Sequence, residues 1–187
     1  MSNIEKVVPK KQIIYSIWKE RVPEVLAPCL LAAQKAKYDL IDCAWRYGNE
    51  AGIGIAIKNS KTKISLPIQS KIWPTQFKSG VKKSLSTCLA KFGSLSSIHS
   101  YMLHRPHWDI NITINAWQQL VNCKNLGMVQ RIGLGNFDKD FINLLISENL
   151  VTPDFVQFEL SINNMRWDRV SYFQAKNIEI QAYKPLG

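Results

Sequence analysis

The sequence is short of cysteine, of acidic residues and of long apolar runs, and each shortage excludes something. Its four cysteines, Cys29, Cys43, Cys88 and Cys123, are widely spaced and form no Cys-x-x-Cys pair. That spacing argues against a zinc site or a disulfide framework and fits a reducing compartment, with the cytoplasm as the default. No apolar stretch approaches the roughly 20 residues of a membrane-spanning helix, so no membrane partner is expected. The first residues, Met1-Ser2-Asn3-Ile4-Glu5-Lys6, lack the apolar core of a secretory signal. Asp and Glu number 14 against 24 Lys and Arg, a net charge of +10. Such a balance favours anionic partners. The basic residues are nevertheless spread over most segments, and no aromatic–basic motif accompanies them, so nucleic acid is not expected as a partner. Histidine is scarce too. His99 and His104 lie five apart on one apolar stretch and would face opposite sides of a strand. With His107 and Asp109 they do not read as a metal site.

What is present is alternation. The 187 residues suffice for one good core and are marginal for two, so a single domain over residues 1–187 is expected. Strand-like stretches fall at Ile13-Ile14-Tyr15-Ser16-Ile17-Trp18 and at residues 38–43, 64–71, 98–104, 129–135, 155–160 and 178–183. Helical stretches lie between them. Residues 22–37 read as a helix with Pro28 near its start, where a missing N–H costs nothing. Residues 49–58 read as a short helix weakened by Gly52 and Gly54. Residues 78–92 place Val81, Leu85, Leu89 and Phe92 on one face and stop at Gly93. Residues 113–126 pack Trp117, Leu120 and Val121 and end at Gly127. Asp138 caps the next helix through Phe141, Leu144 and Leu145, and residues 168–176 form the last. Trp117, Phe141 and Phe173 take core positions.

Strands alternating with helices imply parallel strands joined by helical crossovers. The polar residues at successive strand ends are Asp42, Lys71, His104, Asn136, Gln157 and Tyr183, each about one βα unit after the last. In a (β/α)8 TIM-type barrel all these ends share one rim, where active sites lie. A doubly wound sheet would gather only those near its switch point. The register therefore favours the barrel.

Asp42, Lys71, His104, Asn136, Gln157 and Tyr183 sit in motifs that resemble those of the aldo-keto reductase family. Ile41-Asp42-Cys43-Ala44-x-x-Tyr47-Gly48-Asn49-Glu50 looks like its first signature, Ser70-Lys71-Ile72-Trp73 like its lysine strand end, and Met102-Leu103-His104-x-Pro106 like its histidine strand end. Gly127-x-Val129-x-x-Ile132-Gly133-x-x-Asn136-Phe137 looks like the second signature. Val156-Gln157-x-Glu159 and Ala182-Tyr183-x-Pro185-Leu186-Gly187 follow in order. The resemblance implies an NADP(H)-dependent oxidoreductase that reduces small-molecule aldehydes or ketones. Carried over by position, Tyr47 is the general acid, Lys71 held by Asp42 lowers its pKa, and His104 orients the carbonyl. Asn136 and Gln157 would bind the nicotinamide carboxamide, and Tyr183 would stack on its ring. Lys184 and Leu186, with Asp42, complete the cofactor-binding set. Trp18, Trp45 and Trp73 would line an apolar substrate pocket beside His104.

The match has departures. Gly135 stands where a serine is usual, Lys184 where a small residue would contact pyrophosphate, and Arg105 where an aromatic is common. The sequence stops just after its seventh strand. The expectation is therefore an incomplete barrel lacking the last strand and the C-terminal helices, with edges on β-strands one and seven along which copies could self-associate. The alternative to the enzyme is a non-catalytic remnant, or a regulatory or interaction protein, on the same scaffold.

Overall fold

The computed structural model describes residues 11–18, 20–93 and 95–187. The reading of Met1 to Lys6 and the first ten residues of the expected domain lie outside them. Seven strands follow one another in a single sheet, in chain order: β1 (Ile14–Ser16), β2 (Leu40–Asp42), β3 (Ile68–Ile72), β4 (Ile98–Leu103), β5 (Val129–Gly135), β6 (Phe155–Glu159) and β7 (Glu179–Tyr183). Every neighbouring pair is parallel. One helix fills each crossover: α1 (Pro23–Lys35), α2 (Glu50–Asn59), α3 (Val81–Lys91), α4 (Ile110–Asn125), α5 (Lys139–Ser147) and α6 (Trp167–Ala175). The sheet curls into an incomplete (β/α)8 barrel of seven strands, as the alternation predicts.

The pleat divides the chemistry. Alternate residues face opposite sides, and the register carries one face from strand to strand: Asp42 beside Gln69, Lys71 beside Met102, Met102 beside Gly133, and Gly135 beside Gln157. The other face, with Ile41, Ile72, Tyr101, Leu103, Ile132, Leu134, Val156 and Phe158, packs into the main apolar core against the helices. Trp117 of α4 is completely buried there and donates from its indole N–H to the Val151 carbonyl, at 2.7 Å. Truncating such a residue to alanine costs about 3–5 kcal/mol. Phe141 and Phe173 are buried as expected.

Several local readings need correction. Pro28 lies inside α1, and Pro23 takes the first-turn position where an N–H is dispensable. β3 starts at Ile68 because Pro67 has no N–H for the ladder; only its carbonyl pairs, accepting from Ile41. Trp73-Pro74 opens a 3-10 turn over Pro74–Ser79, so α3 begins at Val81. α4 begins three residues early because Asp109 caps it, accepting from the Asn111 N–H at 2.9 Å. Asp138 does cap α5, at 2.8 Å from the Lys139 N–H.

Gly52 and Gly54 are not weak points in α2. A Cβ on Gly54 would lie 1.8 Å from the Lys91 carbonyl oxygen, and one on Gly52 would lie 2.3 Å from that of Arg21. Glycine lets α2 approach both backbones. The contact is reinforced by Glu50, which is buried. It accepts from Ser70 Oγ at 2.6 Å and Cys88 Sγ at 3.1 Å, and pairs with Lys91 at 2.7 Å.

Candidate active site

The site begins where β2 ends. Asp42 is the last residue of that strand and is buried. The chain stays extended at Ala44, turns through a 3-10 segment at Trp45–Tyr47, and reverses at Gly48, whose φ of 70° suits glycine. The turn is pinned from outside. Arg21 Nε donates to the Tyr47 carbonyl at 2.9 Å, and the buried Asn49 amide donates to the Ile17 carbonyl at 2.5 Å. These bonds aim the Tyr47 ring back over the strand ends.

Lys71, on the neighbouring strand, meets it there. Its ammonium donates to Asp42 Oδ2 at 2.5 Å, to the Cys43 carbonyl at 3.0 Å and to the Tyr47 hydroxyl at 3.3 Å. All three of its N–H donors are used. His104, just past β4, packs edge-on against Tyr47 at 5.7 Å between ring centroids and against Trp73 at 5.0 Å. Asp42, Tyr47, Lys71 and His104 thus come together from three consecutive strand ends.

The electrostatics differ from the expectation in one respect. The Lys71 ammonium does pull the Tyr47 hydroxyl toward ionisation, but burial is the larger influence, and the net pKa is raised from 10.0. Burial also works against the Lys71 charge, yet the Asp42 carboxylate and its neighbours outweigh it and hold that pKa above 10.5. Burial, helped by Lys71, depresses His104 to about 3, so the imidazole is neutral at physiological pH. Its Nδ1 is buried without a hydrogen-bond partner among the described residues.

The floor holds residues that strand-end reading missed. Gln69 Nε2 donates to Asp42 Oδ1 at 2.7 Å and to Gln181 Oε1 at 3.0 Å, and Gln157 Nε2 reaches the same two acceptors at 3.4 and 3.3 Å. Ser16 Oγ lies 3.4 Å from Asp42 Oδ2. The available signal was the period of two: Gln69 and Gln181 stand two residues before Lys71 and Tyr183, on the same face.

Asn136 lies on the far side of His104. It takes a left-handed φ of 59°, donates from Nδ2 to the His104 carbonyl at 3.0 Å, and accepts the Tyr183 hydroxyl at 2.8 Å. Gly135 is needed for this approach, since a Cβ there would sit 2.7 Å from the His104 oxygen. Tyr183 is half-buried beside it. Lys184 is exposed and 3.8 Å from Glu159, and Leu186 is fully exposed beyond β7.

The three tryptophans do not gather in one pocket. Trp73 joins His104, but Trp45 lines a separate cavity of about 220 Å³ with Glu50, Lys83, Lys91 and Tyr101, outside the barrel. Trp18, past β1, is largely exposed. Among the described residues no three His, Cys, Asp or Glu side chains cluster as metal ligands. No helix among them is long and apolar enough to cross a membrane.

Comparison with known proteins places this arrangement. The family model described as Aldo/keto reductase family matches residues 16–187. Methylglyoxal reductase DkgA of Escherichia coli (strain K12) is 29% identical over 177 residues, covering 94% of this chain and 63% of that protein. An aldo/keto reductase structure from Brucella melitensis superposes with a TM-score of 0.84 at 29% identity, covering 94% of this chain and 69% of the other. A Bombyx mori aldo-keto reductase solved in complex with NADP has a TM-score of 0.79 at 24% identity, covering 92% and 62%. The chain thus spans under two thirds of the length of the curated relative.

Proposed function

Since the chain belongs to the aldo/keto reductase family, we propose that it serves an NADP(H)-dependent reduction of small aldehydes or ketones, with Tyr47 as the proton donor. The observation that carries this reading is the Asp42–Lys71–Tyr47 chain of contacts with a neutral His104 packed against the tyrosine. The nicotinamide supplies the hydride when bound. Tyr47 gives its hydroxyl proton to the carbonyl oxygen. Lys71, fixed by Asp42, steadies the phenolate left behind. A neutral His104 donates one N–H to the same oxygen and orients it.

The residues present suit a nicotinamide. Asn136 brings an amide beside the half-buried Tyr183 ring, and Gln157 brings another beside Asp42. Gln69 Oε1 and Gln181 Nε2 are buried there without a partner among the described residues, so polar capacity remains. Lys184 and Leu186 are exposed just beyond β7, and Lys184 would offer a point charge to the cofactor's phosphate. The relative solved with NADP is consistent with the cofactor. Trp73 walls the substrate side, with Trp18 and Trp45 farther out.

We further assign the described residues to one barrel-type unit. The four free cysteines, three of them buried, fit a cytoplasmic location. The outer edges of β1 and β7 are where a further strand or a second copy would pair.

The test is NADPH titration by fluorescence, followed by NADPH oxidation with an aromatic aldehyde. Tyr47→Phe should lower turnover by at least about 10²-fold while sparing cofactor binding. Unchanged turnover would overturn the role of Tyr47. A folded chain that neither binds NADPH nor turns over aldehyde would instead be a regulatory or interaction protein on this scaffold.

A further inference from the structure

Two arginines flank the indole that walls the candidate site. Arg46 Cζ lies 5.7 Å from the Trp73 ring centroid and Arg105 Cζ lies 5.8 Å from it. Trp73 in turn meets His104 edge-on at 5.0 Å. Each arginine immediately adjoins a proposed catalytic side chain, Arg46 before Tyr47 and Arg105 after His104. Both are exposed at the rim, and neither has a carboxylate ion-pair partner among the described residues. The nearest acid in the site, Asp42, is committed to Lys71 beneath them. The mouth is therefore positively charged, and its charge is spare.

The expected pocket was apolar, walled by three tryptophans. The observed one has one indole carrying two guanidiniums. Stacking on the indole face holds a guanidinium's plane and leaves its edge N–H groups free. A planar fork matches a carboxylate in a bidentate contact, which a lysine would not supply.

We propose that the preferred substrate is a carbonyl compound bearing a carboxylate, held by Arg46 and Arg105 over Trp73 while its carbonyl reaches Tyr47 and His104. This rests on the carbonyl-reductase reading given above. Arg46 and Arg105 are specificity-determining residues, and the reacting atoms remain those near Tyr47.

The test compares 4-carboxybenzaldehyde with its methyl ester, which differs in charge and little in shape. With the full chain and NADPH, kcat/KM should favour the acid roughly tenfold, the low end for a charge-assisted hydrogen bond at an open rim. The preference should shrink as salt screens it. In Arg46→Gln/Arg105→Gln the acid-to-ester ratio should fall toward one, mainly through KM for the acid. Both arginines are exposed, and circular dichroism checks that the fold survives. Calorimetric titration of the two aldehydes separates this proposal from the one beneath it. Turnover of both at equal kcat/KM overturns the carboxylate site and leaves the reductase. Binding of the acid over the ester without turnover supports the carboxylate site and overturns the reductase reading. A double variant that keeps the ratio but binds NADPH tenfold more weakly assigns the arginines to cofactor phosphate and overturns the proposal. Binding of neither aldehyde overturns it too.

Discussion

Lys71 Nζ lies 2.5 Å from Asp42 Oδ2, with 1% and 5% of the two side chains exposed. Such a pair is costly to desolvate, and its net contribution to stability is small compared with the loss when one partner is removed. Five polar groups crowd onto the two residues: Ser16, Gln69 and Gln157 on the carboxylate, and the Cys43 carbonyl and Tyr47 hydroxyl on the ammonium.

Lys71→Met should therefore destabilise the fold by about 3–5 kcal/mol, because it strands a buried carboxylate. Asp42→Asn/Lys71→Met should recover part of that loss. Urea unfolding of both variants measures it. Lys71 holds its proton above 10.5 in the fold, so folding favours the protonated form. The stabilisation is fully present below that pH and is lost as the pH rises through the folded value. Thermal melts should thus fall on the alkaline side in the parent and stay flatter in the double variant.

His104 carries the opposite sign. Its folded pKa of about 3 lies below the ordinary 6.5. The unfolded chain binds the extra proton first, so stability declines as pH falls from about 6.5 toward 3. Above 6.5 neither state is protonated and the contribution is flat. Proton NMR of the imidazole C–H, assigned by its loss in His104→Gln, should show no titration near 6.5. If turnover occurs, its pH profile should lack a histidine limb there. A titration midpoint near 6.5 would overturn the burial-depressed pKa of His104 and restore a histidine limb to the pH profile.

Strand ends were legible because polarity interrupts apolar runs there. Asp42 and His104 each break such a run, Lys71 and Asn136 stand at the next spacings of one βα unit, and the pairing register brings the four to one rim. Gln69 and Gln181 were missed because only strand ends were read, although the period of two puts them on the face of Lys71 and Tyr183. Trp45 was misplaced because the two residues of 3-10 turn from Trp45 to Tyr47 rotate their side chains to different directions. The same geometry that aims Tyr47 inward sends Trp45 to the outer cavity. Pro28 was assigned to a helix start by propensity alone. Pro23, five residues earlier, already filled that role, so the helix runs through Pro28 and gives up one backbone bond.

Gly54 sets two rules against each other. Replacing a mid-helix glycine with alanine should stabilise α2 by up to about 1 kcal/mol through propensity. The added Cβ, however, would sit 1.8 Å from the Lys91 carbonyl oxygen, which belongs to backbone rather than to a flexible side-chain end. Either α2 or the end of α3 must shift, and both are tied through the buried Glu50 to Ser70, Cys88 and Lys91. Overpacking of this kind costs about 1–3 kcal/mol, so the steric term wins. Gly54→Ala should lower the urea midpoint at unchanged slope, and Gly52→Ala should do the same by pressing on the Arg21 backbone at 2.3 Å. Because Arg21 also holds the Tyr47 carbonyl, Gly52→Ala should disturb the Tyr47 turn as well as α2. Stabilisation by either variant would mean that α2 does not approach these backbones as closely as the structure has it.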